Sequence, residues 1–408
     1  MATAAQAIVI VGAGAAGIAA ARRLKEAGVA PVVLEARDRV GGRAWTLAGS
    51  GGLDLGCGWL HSADQNPLTA IAEAGGFAID RTPPPWARPT PQPGFPLDEQ
   101  RAFREALMEM RERLDDFPED EPDRAAASFA PAGRWRPLLD AVSTYFSGTE
   151  LDHVSARDFS RYDDTGVNRR VVEGYGTLIA GEAAGLDVTT GCPVRRIDHG
   201  GRRIRVETGK GIVEADKVIV TLPASLMDGE AVVFDPPLPE KIEAAAGLPL
   251  GLADKVFLSL DGAEEFEADS RLFGRTDRAG TGAYHLRPFG RPVIEGYFGG
   301  AHAAELEAAG EGAFADFAMN ELAGLFGGNF RRRLRPLAHH AWGSDPHARG
   351  SYSCALPGRA DGREVLAAPV DGRLFFAGEA CSRSDYSTAH GAWRTGVAAA
   401  KAVLAGGR

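Results

Sequence analysis

AIVIVGAGAAGIAAARRLKEAGVAPVVLEARDRVGGR, residues 7–43, decides the fold. Its apolar run from Ala7 to Val11 has the form of a buried parallel strand. The run breaks at Gly12-Ala13-Gly14-Ala15-Ala16-Gly17, and an alanine-rich helix follows from about Ala15 to Ala27, closed by Gly28. A second apolar run, Pro31 to Leu34, ends at Glu35. Strand, glycine turn, helix, strand and a terminal acid about twenty residues on make a dinucleotide-binding βαβ unit. Gly12 permits the tight turn, Gly14 lets backbone approach a pyrophosphate, and Gly17 lets helix pack on strand. The helix dipole and its free N–H groups then face the anion. Glu35 accepts from ribose hydroxyls and would repel a 2′-phosphate, which argues against NADP.

Outward from this unit the composition is that of a globular protein, and 408 residues are enough for two or three domains. A formal charge of −10 disfavours nucleic acid and anionic membranes as partners and weakly attracts cations. Cys57, Cys192, Cys354 and Cys381 are scattered, with no CxxC, so no metal site and no required disulfide is expected. No apolar stretch is long enough to span a bilayer, and Met1 to Gln6 has no basic leader character. The expectation is a reduced, cytoplasmic protein of undetermined oligomeric state.

Directly after Glu35, Ala36-Arg37-Asp38-Arg39-Val40-Gly41-Gly42-Arg43 offers a second close backbone approach to phosphate. Gly58-Trp59-Leu60-His61 follows. Residues 83–96, proline-rich, cannot be a helix and read as an extended crossing between domains. Asp98 to Phe117 reads as an amphipathic helix with Phe103, Leu107, Met110 and Leu114 on one face, and Trp135 to Phe146 as another. Strands are expected at 188–190, 194–197, 204–208, 212–215 and 217–222, then at Ala253 to Leu260 and Pro292 to Phe298. Helices are expected at 236–248, at 303–326 as one or two pieces, and at 390–404. Arg331 to Arg335 is read as a solvated basic cluster.

Taken together, the opening βαβ, ARDRVGGR, GWLH, the strand bearing Lys255, GSYS at 350–353, FFAGEA at 375–380 and STAHGAWRTG at 387–396 resemble the FAD-dependent amine oxidases, in the order that family has them. The group includes monoamine oxidases, polyamine oxidases and lysine-specific histone demethylases. GWLH followed by Asn66-Pro67-Leu68 is most similar to the polyamine oxidase branch. The resemblance implies a mixed α/β fold: a Rossmann-like FAD-binding domain of the glutathione-reductase type, interleaved with a substrate domain of antiparallel sheet flanked by helices. The implied division gives residues 1–80, 169–226 and 339–408 to FAD, and residues 81–168 and 227–338 to substrate.

The resemblance also implies a site. Gly12, Gly14, Ala16 and Gly17 would face the FAD pyrophosphate. Glu35 would hold the ribose, with Ala36 and Arg37 beside the adenine. Gly42 and Arg43 would close over the phosphates, and Val194 would bond the adenine through its backbone. Gly58, Trp59 and Trp342 would lie near the isoalloxazine, Gly378 and Glu379 at the ribityl and phosphate groups, and Thr388 and Ala389 at the pyrimidine end. Lys255 would hold a water near flavin N5, and Tyr352 would be one wall of an aromatic cage. Trp59, His61, Thr388 and Trp393 would complete the substrate site. The implied reaction takes a neutral amine to an imine by hydride transfer to N5; water then releases an aldehyde or ketone and ammonia or amine, and O2 leaves as hydrogen peroxide. Ser351 stands where the mitochondrial monoamine oxidases carry the flavin-bearing cysteine, so the FAD is expected to be non-covalent. His61 replaces an acid of some polyamine oxidases. Two alternatives stay open: an L-amino acid oxidase or desaturase of the same fold, with Arg161 or Arg287 as carboxylate clamp, and a non-catalytic FAD-binding redox sensor.

Overall fold

Five parallel strands run through the middle of the nucleotide-binding half, in the order Leu374–Phe376, Lys217–Val220, Ile8–Val11, Val32–Leu34 and Asp187–Thr189. The structure, a computed structural model, describes residues 7–406. Ile8–Val11 is the central strand and all four of its residues are buried. That is why its sequence is continuously apolar rather than alternating. The five strands come from the start, middle and end of the chain, so this half is assembled from distant segments.

The helix Ala15–Glu26 covers one face of the sheet and packs against the final helix, Ala389–Ala405. Their approach depends on small residues. A Cβ on Gly396 would stand 2.1 Å from the Ala16 carbonyl oxygen. A smaller sheet, Val233–Asp235, Val194–Asp198, Ile204–Thr208 and Gly211–Ala215, packs in the core on the other side.

The second half is built on an antiparallel sheet in the order Ser270–Phe273, Ala283–Leu286, Val293–Gly299, Ala253–Leu260 and Leu334–His339. Helices Gly300–Ala309 and Ala313–Phe326 cover one face, where Ile294, Phe298, Phe314 and Leu322 are buried together. Helices Leu97–Asp115 and Arg136–Ser147 bring Phe103, Met110 and Leu138 to a core shared with Phe273 and Ala283.

Most expected elements form within a residue or two of their expected limits, and Ala253–Leu260 forms with the limits read from sequence. The run 303–326 divides into two helices around Gly310 and Gly312, both at positive φ. The helix expected from Pro236 starts only at Pro239, because a proline is favoured in the first turn and not within it. The proline-rich crossing contains one short turn, Pro85–Ala87. Ser270–Phe273 and Ala283–Leu286 were not expected from the sequence. They are four residues each, and the segment between them is charged and glycine-rich.

Candidate active site

A single cavity of about 1070 Å³ runs from the carboxyl end of the central strand to the open face of the antiparallel sheet. Its position follows from the parallel sheet, whose strand ends are where α/β folds bind ligands.

At the first end, Gly12, Gly14, Ala15 and Ala16 line the wall. Gly14 caps the helix Ala15–Glu26 and has no side chain, so the first helical N–H groups have no side-chain acceptor. A Cβ on Gly14 would meet no heavy atom closer than Gly42 Cα at 4.0 Å, so the wall is open there and two glycine segments face each other. Gly17 is not on the cavity. A Cβ there would stand 1.9 Å from the Gly12 carbonyl oxygen, so Gly17 serves helix-to-turn packing rather than ligand contact, and its expected pyrophosphate contact is corrected accordingly.

Glu35 is buried, accepting from Ala13 N at 2.7 Å and Arg37 N at 2.9 Å. The Arg37 guanidinium pairs with Asp345 at 2.7 Å. Ala36, Gly42 and Val194 line the same stretch. Arg43 donates to Glu379 at 2.9 Å and to the Ser351 carbonyl at 2.8 Å. Glu379 also accepts from Ser353 Oγ at 2.6 Å and Ser387 N at 2.9 Å. Burial works against its charge, but Arg43 and Ser353 outweigh it and hold the carboxyl below its ordinary range. Thr388 caps the final helix: its Oγ1 accepts from Gly391 N at 2.9 Å. Gly378, Thr388 and Ala389 reach the cavity.

Further in, Lys255 is buried beside Gly58, where a Cβ would be 3.1 Å from its Nζ. The ammonium donates to the Asp54 carbonyl at 3.1 Å and pairs with Glu295 at 3.0 Å. Burial alone would lower its pKa; Glu295 and Asp54 reverse that and raise it, so the ammonium keeps its charge. Glu295 is correspondingly lowered, against its burial, by Lys255 and His285. His285 bonds Asp269 at 3.0 Å, and Asp269 bonds Arg170 at 2.6 Å. The Arg170 guanidinium lies 5.0 Å over the Trp59 ring.

Tyr352 donates to the Tyr145 carbonyl at 2.6 Å and stands 3.1 Å from the Tyr297 hydroxyl. Burial, with Tyr297 beside it, raises the Tyr352 phenol well above its usual range, so it stays protonated. His61 Nδ1 lies 2.6 Å from Asn168 Oδ1, whose amide nitrogen donates to Gly166. That assigns the proton to Nδ1. Burial lowers the His61 pKa, leaving a neutral ring with Nε2 as acceptor. Trp342 lines the cavity and donates from Nε1 to the Leu55 carbonyl at 3.0 Å.

Trp393 is not in the site, a correction to the expected substrate set. It follows Ala392 on the final helix, so it is rotated by about 100° from that cavity-lining residue and turns into the core. Arg161 and Arg287 are likewise elsewhere. Arg161 is paired with Glu119 and Asp361, and Arg287 donates to the Phe266 and Gly290 carbonyls. Glu295 and Tyr297 went unnoticed in the sequence. The alternation of Val293–Gly299 carries the signal: Ile294, Gly296 and Phe298 are buried in the sheet core, and Glu295 and Tyr297 take the opposite face.

The family model for "Flavin containing amine oxidoreductase" matches residues 15–155 and 130–404. The chain belongs to this family. Among the relatives of this flavin-containing amine oxidoreductase, Polyamine oxidase 3 of Oryza sativa subsp. japonica is 31% identical, over 96% of this chain and 88% of that one. Polyamine oxidase 5 of the same plant is 28% identical, over 97% and 87%. Lysine-specific histone demethylase 2 of Homo sapiens is 26% identical, over 98% of this chain and 53% of that one. A solved putrescine oxidase double mutant, described as a redesign of cofactor binding, has the same fold, with a TM-score of 0.78 and 20% identity over 98% and 99% of the two chains. The family's flavin implies FAD, and the open wall at Gly14 and the uncapped helix start fit its pyrophosphate. Among the described residues no helix is long and apolar enough to cross a membrane.

Proposed function

We propose that this protein is an FAD-dependent amine oxidase that takes an amine C–N bond to an imine, with O2 as acceptor. The observation that carries this reading is Lys255: a charged, buried ammonium between the nucleotide-binding wall at Gly58 and the substrate sheet. Flavin, when bound, supplies the acceptor for a hydride equivalent from the amine and passes the electrons to O2, giving hydrogen peroxide.

The residues divide the remaining work. Gly12, Gly14, Ala16, Glu35, Ala36, Arg37, Gly42, Arg43, Val194, Gly378 and Glu379 hold the cofactor's adenosine and phosphate half. Gly58, Trp59, Trp342, Thr388 and Ala389 border its ring end, where the final helix offers partial positive charge. Lys255 orders a water and stabilises negative charge developing beside it. Tyr352, Tyr297 and Trp59 orient the amine against an aromatic wall. His61, neutral, accepts a hydrogen bond and repels no ammonium. The FAD is held without a covalent bond: Ser351 is locked to Ala253, donating to its carbonyl and accepting from its N–H, each at 2.9 Å. Cys57, which does line the cavity, has its thiol pushed up to about 12 by burial and by Asp54, so it is no thiolate.

Oxygen uptake tests the reading. One hydrogen peroxide and one carbonyl product per amine consumed are expected. Peroxide without any carbonyl product would contradict it.

A further inference from the structure

Two neighbouring rows of side chains cross the open face of the antiparallel sheet. The pairing places Lys255, Tyr297, Ala283 and Phe273 in one row, and Phe257, Glu295, His285 and Arg271 in the next. Of these eight only Phe257 is away from the cavity. Nearby cations are matched by carboxylates: Lys255 by Glu295, Arg170 by Asp80 and Asp269, and Arg88 by Glu267. Arg271, in the sheet itself, has no such carboxylate. Among the described residues its guanidinium makes no hydrogen bond and no ion pair, and it lies 4.2 Å over the Phe273 ring. The one titratable group acting on it is the Tyr145 phenol; burial lowers its pKa to about 10, which still leaves it charged at neutral pH.

A guanidinium inside a cavity, stacked on an aromatic ring and without an anion, leaves a fork of donors to be satisfied. Planar carboxylates match that fork. We propose that Arg271 binds a carboxylate at the far end of the substrate, and that the substrate is an amine carrying that carboxylate several bonds from the oxidised carbon. This deepens the amine-oxidase reading and rests on it.

The spacer follows from the sheet. Arg271 is three strands from Lys255, about 14 Å across the backbone at about 4.8 Å per strand. Arg271 also lies one row further along the strands, about 7 Å more at about 3.4 Å per residue. An α-carboxylate would stay at the Lys255 end and miss Arg271. The wall between is aromatic. Tyr352 meets Tyr297, the Tyr145 and Tyr297 rings are 5.9 Å apart, and Tyr145 stacks with Phe273 at 6.5 Å. Such a wall suits methylenes. Arg111, also on the cavity, lies 4.9 Å over the Phe146 ring without an ion pair among the described residues, although Asp164 and Asp115 act on it. A second ammonium would meet Arg271 with like charge.

The test uses three amines of one length on the flavin-loaded enzyme: 6-aminohexanoate, hexylamine and 1,6-diaminohexane. Anaerobic flavin reduction is read as limiting rate and half-saturating concentration. The carboxylate should half-saturate about 100-fold lower than the diamine, as expected for a buried charge pair. Arg271→Gln should remove that advantage and leave hexylamine within about twofold, because only the paired charge is lost. Arg271→Lys keeps the charge without the fork and should fall between; it also serves if the glutamine variant does not hold flavin. Hexanoate, which has no C–N bond to oxidise, should bind the wild type and bind Arg271→Gln far more weakly by calorimetry. A preference for the diamine, equal losses for hexylamine and 6-aminohexanoate, or unchanged hexanoate binding in Arg271→Gln would overturn the proposal. Hexanoate binding through Arg271 with no amine reducing the flavin would instead leave the carboxylate site standing and sink the amine-oxidase reading.

Discussion

On the amine-oxidase reading proposed above, the buried pair Lys255–Glu295 would serve both stability and chemistry. Removing the ammonium takes from Glu295 its closest partner, at 3.0 Å, in a buried setting, which costs about 3 kcal/mol. Lys255→Met should therefore both destabilise the protein and slow flavin reduction about 100-fold, the usual scale for losing one preorganised charge. Adding Glu295→Gln should restore the unfolding midpoint and leave the slow rate. Stopped-flow reduction and denaturant titration of the single and double variants separate the two effects. Recovery of the rate in the double variant would show that Lys255 acts only by neutralising Glu295. At the other end of the cavity, Glu379 collects Arg43, Ser353 and Ser387. Glu379→Ala should release all three and lower the flavin-to-protein ratio of the purified protein, with the secondary structure kept. Lys255 was legible in the sequence only through its resemblance to a family motif. Glu295 carries no motif, and its role depends on a strand pairing that sets Phe257 against Glu295 and brings it beside Lys255.

The opening βαβ was legible because its physics is local. A buried strand, a helix start, a second strand and an acid follow one another directly in Ile8–Val11, Ala15–Glu26, Val32–Leu34 and Glu35. Gly17→Ala tests it, since the new methyl would meet the Gly12 carbonyl. Loss of bound FAD at an unchanged strand content is expected. The substrate sheet was legible only in part. Ala253–Leu260 and Val293–Gly299 are long, but Ser270–Phe273 and Ala283–Leu286 are short and take their stability from their neighbours. Those two short strands bring in Arg271 and His285, so the unread elements hid the unread site residues. Asp254 of the same sheet, buried, faces the half-buried Glu307 of the helix Gly300–Ala309. Burial, with Glu307 beside it, raises Asp254 to about 9, and Trp342 N donates to it at 3.3 Å. The folded state thus holds a proton that the unfolded state gives up in the ordinary carboxylate range, and stability falls as pH rises from there to about 9. Asp254→Asn keeps a donor to Glu307 at every pH. Its thermal midpoint at pH 8.5 should exceed the wild type's by about 3 °C, within the range one such change produces. A lower midpoint would contradict the shared proton.

Across the whole molecule, the parallel sheet gathers strands from residues 8 to 376 and so brings the start of the first helix and the start of the last to one cavity. The proposed chemistry would draw on both halves, since Gly58 of one lies against Lys255 of the other. Within the cavity the charge states are fixed near neutral pH: Lys255 charged, Glu295 ionised, Tyr352 protonated and His61 neutral. None of these four titrates near neutral pH, so on the proposed mechanism the substrate's own ammonium sets the pH dependence. Flavin reduction at low substrate should rise with pH through the substrate's pKa and level off above it, and substrates of different pKa should shift the profile by the same amount. A profile that ignores the substrate's pKa would place the controlling proton on the protein. The most direct measurement is anaerobic mixing of the flavin-loaded protein with a panel of amines, followed by the flavin's visible absorbance. At least one amine should bleach it completely, and readmitted O2 should restore it with release of hydrogen peroxide. A flavin that stays oxidised before every amine would contradict amine oxidation at this site.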